Sequence, residues 1–264
     1  MKDISMIPIG YVFSDIAKPD DMPVAGKRAT VKIRPELVPA LHKIEEHSHL
    51  WVLCWFHQAR TDKLRVPPKR VNPDLPEYGV FGIRTPTRPN PISLTLVGLE
   101  KVEGELLYVT GLDAVLGTPV LDIKPYFEQD IVFSPATPYI RPAKYEMRKE
   151  IFFKEALRHH QEECVWLHLG IKMALIAEEH FGRIQSVQLK LKVKGPGCLA
   201  DVLQGLTRAR LANPPRFSYD VNNNDIEVTW INGNSLLIIK PRRVFLLEEA
   251  REMSAQELFI AHYF

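Results

Sequence analysis

The spacing of hydrophobic and polar positions changes character about midway along the chain. Up to residue 145, apolar residues come in short runs or alternate with polar ones, and prolines punctuate the gaps. "MIPIGYVFS" and "ATVKIRP" read as strands, the second by strict alternation. "HLWVLCWFH" is nearly all apolar and holds Val, Trp and Phe, which predicts a strand buried on both faces. "SLTLVGLEKVEGELLYVTGL" reads as a hairpin turning near Glu103-Gly104, and "PVLDIKPY" as a further strand. Six or so strands with few helices predict a closed or barrel-like sheet.

After residue 145 the period becomes helical. "FSPATPYIRPAKYE", with three prolines in a polar setting, reads as a linker. "KEIFFKEALRHHQEECVWLHLGIKMALIAEEHFG" carries apolar residues at helical spacing and stops at Gly182; its length allows two helices. "SVQLKLKVKG" alternates as a strand with one wet face, and "CLADVLQGLTRARL" is helical. "RFSYDVNNNDIEVTWINGNSLLIIKP" reads as three strands turning at Asn222-Asn224 and Asn232-Asn234. Ser254 and Glu257 form a capping box for the last helix. The expected architecture is a mostly β, barrel-like N-terminal domain over 1–145 and an α+β C-terminal domain over 146–264.

Composition narrows the class. The chain has 264 residues, 45% of them hydrophobic, so a substantial core can form. Basic and acidic residues nearly balance, 34 against 32, which argues against a general polyanion binder while leaving room for a local patch. Cys54, Cys164 and Cys198 are an odd, widely spaced set and fit a reducing compartment. The chain holds no apolar run long enough to cross a membrane, and "MKDISMIPIG" lacks a signal-peptide pattern. A soluble, cytoplasmic protein is expected.

The loop "GIRTPTRPNPISL" carries the densest candidate chemistry. Pro86, Pro89 and Pro91 fix φ and leave the loop little entropy to lose. Arg84 and Arg88 then stand on a stiff support, and guanidinium forks suit carboxylate or phosphate. A rigid edge loop with solvated arginines has the same composition, so the loop alone does not decide.

Three stretches in order, "SHLWVLCWFH", "GVFGIRTPTRPNPISLTLVGL" and "LGTPVLDIKPY", closely resemble the TrmO or TsaA-like tRNA threonylcarbamoyladenosine methyltransferases, over about residues 5 to 130. The resemblance implies a β-barrel methyltransferase that uses S-adenosylmethionine and works as a homodimer. It also implies the absence of a Rossmann sheet, and no G-x-G-x-x-G follows a strand here. Onto the family's cofactor loop fall Pro23, Val24 and Ala25. The family's His-Gln falls on His57 and Gln58, its arginine on Arg84, and the position after the proline motif on Leu94. Its Asp-Gly-Thr-Pro becomes Leu116, Gly117, Thr118 and Pro119, and Asp122, Lys124 and Tyr126 match the downstream motif. Two positions depart from the pattern: Ala25 replaces a glutamine and Leu116 an acidic residue, leaving backbone groups near Gly117 to hold the cofactor.

Methyl transfer from a sulfonium is an in-line displacement that needs alignment and exclusion of water. The acceptor implied by the resemblance is the exocyclic nitrogen of threonylcarbamoyladenosine beside the anticodon. That nitrogen must lose a proton, so a base helps, and His57, Asp122 and Tyr126 are the candidates. Arg88 is the candidate for the threonyl carboxylate or a phosphate. Residues 60 to 88 hold seven basic residues against three acidic, a local excess that fits tRNA phosphates or a solvated loop. Taken singly, each residue has a plain structural reading: a strand-end His57, a surface Gln58, a braced Asp122–Lys124 pair, a core Tyr126.

The second half is similar to the formylmethanofuran dehydrogenase E-like domain through "HLGIKMALIAEEHFG" and "GPGCLADVLQGLT". His160, Glu162 and Cys198 are its metal candidates, against a decayed site kept as scaffold. Two functions remain open. One is methyl transfer to tRNA or to a small-molecule acceptor. The other is S-adenosylmethionine-binding or metal-linked sensing without tRNA activity.

Overall fold

A computed structural model of the chain describes residues 4–133 and 135–264. It divides into two compact units, residues 1–132 and 133–264.

The first unit is built on β1 (Gly10–Phe13), β2 (Lys27–Ile33), β3 (His49–Trp55), the two-residue strands β4 (Arg65–Val66) and β5 (Tyr78–Gly79), β6 (Ile92–Glu103), β7 (Leu106–Leu112) and β8 (Pro119–Pro125). Six of them close into a barrel in the order β1-β2-β7-β6-β3-β8, and β4 pairs with β5 outside it. Every barrel pairing is antiparallel. Alternation sends Val12, Val31, Leu50, Val52, Cys54, Val97, Leu107, Val109 and Val120 into one fully buried core. The strand β3 departs from expectation. Only its alternate residues are buried, and Trp51, Leu53 and Trp55 face the outer side half-exposed. A continuous apolar run here marks a barrel strand with an apolar outer face rather than burial on both sides. The β6–β7 hairpin turns where expected, at Gly104 with φ +58°.

The second unit comprises α1 (Tyr145–His160), α2 (Val165–Phe181), β9 (Lys190–Gly195), α3 (Gly197–Thr207), β10 (Phe217–Val221), β11 (Glu227–Asn232), β12 (Ser235–Pro241), α4 (Leu247–Glu252), α5 (Ala255–Leu258) and β13 (Phe259–Tyr263). Its five-stranded sheet runs β10-β9-β11-β12-β13, with β10 parallel to β9 and the other pairs antiparallel. Inward residues of the sheet, Leu191, Val193, Val228, Trp230, Leu237 and Ile239, share one core with α1, α2 and α3. The long helical pattern breaks at Gln161, whose φ of +61° ends α1. Ser254 and Glu257 do form the capping box, but the helix they start is four residues long. The chain then forms β13 along the sheet edge, a strand that the pattern did not predict.

The proline-rich stretch before α1 is packed rather than free. Tyr139 Oη donates to Glu178 Oε1 at 2.9 Å, Arg141 Nη2 lies 2.8 Å from Glu179, and Arg183 Nη2 donates to Thr137 Oγ1 at 2.9 Å. These bonds hold residues 137–141 on α2 and its C-terminal end.

Candidate active site at one rim of the barrel

Antiparallel pairing places the ends of β1, β3 and β7 and the starts of β2, β6 and β8 at the same rim. The loops at this rim are residues 14–26, 56–91 and 113–118, and they carry most of the sequence candidates.

Backbone and side-chain bonds cross-link these loops. The amide of Gln58 donates to the Ala17 carbonyl at 3.4 Å, and the Leu116 N–H donates to the Ile16 carbonyl at 2.7 Å. The segment Ile16-Ala17 therefore bridges the His57-Gln58 turn and the Leu116-Gly117 turn. Pro23, Val24 and Ala25 form a tight turn closed by Gly26 N–H to Pro23 O at 3.0 Å. Gly26 sits at φ +68°, and a Cβ there would come within 2.4 Å of the Gly111 carbonyl oxygen, so this turn is seated directly on β7. The guanidinium of Arg70 donates to the carbonyl of Met22 and ties the 56–91 loop to the same turn.

His57 is exposed, and its Nε2 lies 3.3 Å from the Gln58 side-chain nitrogen. An amide NH2 only donates, so the ring nitrogen is the acceptor when this contact is made. Arg84 is exposed, and no hydrogen bond or ion pair among the described residues engages its side chain. Leu94 is half-exposed on β6, opposite Leu53.

At the Leu116–Pro119 turn the backbone is already engaged. Gly117 N–H donates to Val12 O at 2.8 Å and Thr118 N–H to Val115 O at 3.1 Å. Thr118 is fully buried, and its Oγ1 donates to Val115 O at 2.7 Å. The N–H groups near Gly117, expected to hold a ligand, are thus engaged by Ile16, Val12 and Val115, and the Leu116 side chain is exposed.

Three of the four candidates for the chemical step, Arg88, Asp122 and Tyr126, are engaged by neighbouring groups. Arg88 Nη2 donates to the carbonyls of Val80 at 2.6 Å and Ile83 at 3.0 Å, so it braces its own loop from within instead of presenting a fork outward. Asp122 lies on the outer face of β8 opposite Leu53 and pairs with Lys124 at 2.8 Å. Tyr126 follows β8 at the opposite rim, where it contacts the rings of His49 and Trp51. At about 3.3 Å rise per residue, the length of β3 separates that rim from His57 by roughly 20 Å. Only His57 belongs to the loop-bearing rim with its ring exposed. Cys54 is no nucleophile: burial pushes its thiol up to about 12, with the Ser93 hydroxyl opposing.

Of the basic residues in the 60–88 loop, Arg60 pairs with Asp62 at 3.3 Å, and Arg70 and Arg88 are held by carbonyls. Arg65, Lys69 and Arg84 are exposed, with side chains bonded to nothing among the described residues. In the second unit, Cys164 joins His160 and Cys198 in one cluster, and Glu162 lies outside it. The sequence offered a signal for Cys164, since it stands four residues after His160.

A closed antiparallel barrel whose proline-rich loops are cross-linked over one rim defines a small β-barrel domain, unlike the parallel nucleotide-binding sheets. Residues 13–130 match the family model of the tRNA-methyltransferase O N-terminal domain. The chain is 42% identical over 130 residues to a probable S-adenosyl-L-methionine-binding protein of Methanothermobacter thermautotrophicus, covering 48% of this chain and 92% of that one. It is 34% identical over 234 residues to a probable S-adenosyl-L-methionine-binding protein of Archaeoglobus fulgidus, covering 84% of this chain and 63% of that one. It is 40% identical over 133 residues to a human tRNA (adenine(37)-N6)-methyltransferase, covering 46% of this chain and 30% of that one. The chain belongs to the tRNA-methyltransferase O family through its N-terminal half. The family match ends at residue 130, and these relatives give no support to a formylmethanofuran dehydrogenase E-like second half. No helix among the described residues is long and apolar enough to cross a membrane.

Proposed function

We propose that this chain is an S-adenosylmethionine-dependent methyltransferase acting on threonylcarbamoyladenosine beside the tRNA anticodon, as a homodimer. The observation that carries the reading is the bridging of the His57-Gln58 and Leu116-Gly117 turns through Ile16 and Ala17. Two separate pieces of the family motif are thereby tied together at one rim. The cofactor assignment agrees with the names of the two archaeal relatives, and the tRNA assignment with the name of the human one.

In this reading the turn at Pro23, Val24 and Ala25, the pair His57-Gln58, Arg84, Leu94 and the turn from Leu116 to Pro119 surround the cofactor. The methyl group leaves the sulfonium sulfur as the exocyclic nitrogen attacks in line, and the nitrogen's proton departs. His57 takes that proton on Nε2 once the Gln58 contact opens. Arg65 and Lys69 supply the phosphate contacts, since their side chains are exposed and bonded to nothing among the described residues.

The test is incubation of the full chain with methyl-labelled S-adenosylmethionine and total tRNA, followed by nucleoside analysis. Label in methylated threonylcarbamoyladenosine supports the proposal. A second reading, binding of S-adenosylmethionine without methyl transfer, is favoured by the apolar Ala25 and Leu116. Saturable cofactor binding with no label in tRNA would establish it.

A further inference from the structure

In the second unit, three segments converge on three metal-ligating side chains. His160 is the last residue of α1, Cys164 directly precedes α2, and Cys198 lies in the first turn of α3. One donor atom from each lies within 4.8 Å of the other two. The local backbone explains the meeting. Gln161 turns the chain with φ +61° and brings Cys164 back over the end of α1. Gly205 lets α3 approach α1 closely, since a Cβ there would fall 2.6 Å from the His159 ring.

The distances match a metal polyhedron. Bond lengths of about 2.3 Å for Zn–S and about 2.0–2.1 Å for Zn–N, at a tetrahedral angle, require an N···S edge of about 3.6 Å. Cys164 Sγ lies 3.5 Å from His160 Nε2. The other ring nitrogen, Nδ1, is 2.7 Å from Asp201 Oδ2. A carboxylate on the distal nitrogen is the arrangement that fixes metal-bound histidines. Asp201 is held in turn by His159 Nε2 at 3.2 Å. A thiol hydrogen bond to His160 accounts for one distance. It does not account for the second thiol within reach, or for a carboxylate orienting the ring toward both.

We propose that His160, Cys164 and Cys198 bind a zinc ion or another borderline-soft divalent cation. Asp201 orients His160, and the fourth coordination position is open to solvent. A Cys2His set with one open position is a zinc set that can accept a further ligand. Both thiols deprotonate on binding, and their two protons pass to solvent. Glu162, exposed and outside the cluster, is not among the three ligands.

The reduced full chain is titrated with Co2+ under anaerobic conditions, then with Zn2+. The expected result is one equivalent of Co2+ with tetrahedral ligand-field bands and a thiolate charge-transfer band, both displaced by Zn2+. Cys164→Ser and Cys198→Ser should each cut the charge-transfer band, and Asp201→Asn should weaken affinity by about 10–100-fold. A measurement that needs no variant stands beside these: Zn2+ should protect two of the three thiols of the native chain from a thiol reagent, with buried Cys54 unreactive throughout. Absence of Co2+ bands and of thiol protection in the folded, reduced chain would overturn the proposal. So would bands that persist when both cysteines are replaced, or a Cys164–Cys198 disulfide that forms unhindered in the presence of Zn2+.

Discussion

The side-chain amide of Gln58 donates to the backbone carbonyl of Ala17 and pins two loops of the barrel rim together, 41 residues apart in sequence. The bond is long and exposed, so it contributes little to global stability. Its effect is on the placement of His57 and of the Ile16-Ala17 segment that also holds Leu116. Gln58→Ala should lower S-adenosylmethionine affinity by about 2–10-fold, equivalent to about 0.5–1.5 kcal/mol, with the denaturation midpoint nearly unchanged. Calorimetry and denaturant unfolding on one preparation check both halves. A large stability loss with unchanged affinity would assign Gln58 to the fold alone.

Arg84 and Arg88 should separate cleanly. Arg88→Ala leaves the carbonyls of Val80 and Ile83 without their donor, and Val80 is buried. A lost bond of this kind costs about 1–3 kcal/mol, which unfolding curves will register. Arg84→Ala removes an exposed, unengaged cation, so stability should hold while ligand affinity falls. Equal effects of the two substitutions on stability would contradict the division.

These two arginines show what the sequence made legible. Pattern alone predicted the barrel strands, the Glu103-Gly104 turn and the α+β character of the second half, because burial periodicity is a local property of strands and helices. It placed both arginines on one rigid loop but could not tell which turns inward, since that depends on where the loop's carbonyls point. Tyr126 looked equivalent to His57 because sequence order does not show which rim a residue reaches; the direction of β8 does. Cys164 escaped the metal set because its proximity to Cys198 arises only from the packing of α1, α2 and α3. The strand β13 was hidden behind a capping signal that was itself correct, with a helix too short for the sequence to bound.

Glu178 is the charged centre of the packing between α1, α2 and the preceding proline-rich stretch. Its carboxylate lies 3.0 Å from Arg148 Nε and 3.5 Å from Arg141 Nε, and accepts from Tyr139. Arg148 and Glu178 are both buried. Arg148→Met should cost about 3 kcal/mol, the low end for breaking a buried ion pair, because Arg141 and Tyr139 still hold Glu178. Adding Glu178→Gln should return part of that loss, as a double-mutant cycle would measure. An additive double mutant would show that the two side chains do not act as a pair.

The second unit should weaken as pH falls below neutrality. His168 Nε2 lies 2.8 Å from Glu163 Oε1, and Arg251 Nη2 contacts the same oxygen at 2.8 Å. Burial lowers the His168 pKa, Glu163 opposes this, and Arg251 and Lys172 add to the lowering. A histidine with a depressed folded pKa contributes stability that is present above its unfolded value, about 6.5, and lost as pH falls. Glu163 is also depressed, by its bonds to His168 and Arg251, so its contribution is lost in the same direction at lower pH. Amide exchange in β11 should therefore accelerate from pH 7.5 to pH 5 after correction for intrinsic rates. His168→Gln should flatten the upper part of this dependence, and a slope of opposite sign would refute the assignment.

The apolar Ala25 and Leu116 offer the sharpest test of how the rim holds its ligand. The N–H groups of Leu116, Gly117 and Thr118 are engaged by Ile16, Val12 and Val115, so backbone donors there cannot replace missing side-chain contacts. Leu116 is 46% exposed, so an aspartate at that position keeps access to water and incurs little desolvation. Two added hydrogen bonds of about 0.5–1.5 kcal/mol each correspond to roughly tenfold or more in affinity. Ala25→Gln with Leu116→Asp should therefore tighten S-adenosylmethionine binding by about that factor. Methyl transfer separates the two functional readings. If the wild-type chain is already an enzyme, turnover at saturating cofactor should change little, because tighter ground-state binding does not lower the barrier of the chemical step. If it only binds the cofactor, the wild type should be silent, and the double variant reports whether positioning was the missing element. Weaker binding in the double variant would mean that this rim grips its ligand through apolar contacts, with Leu116 itself as one of them.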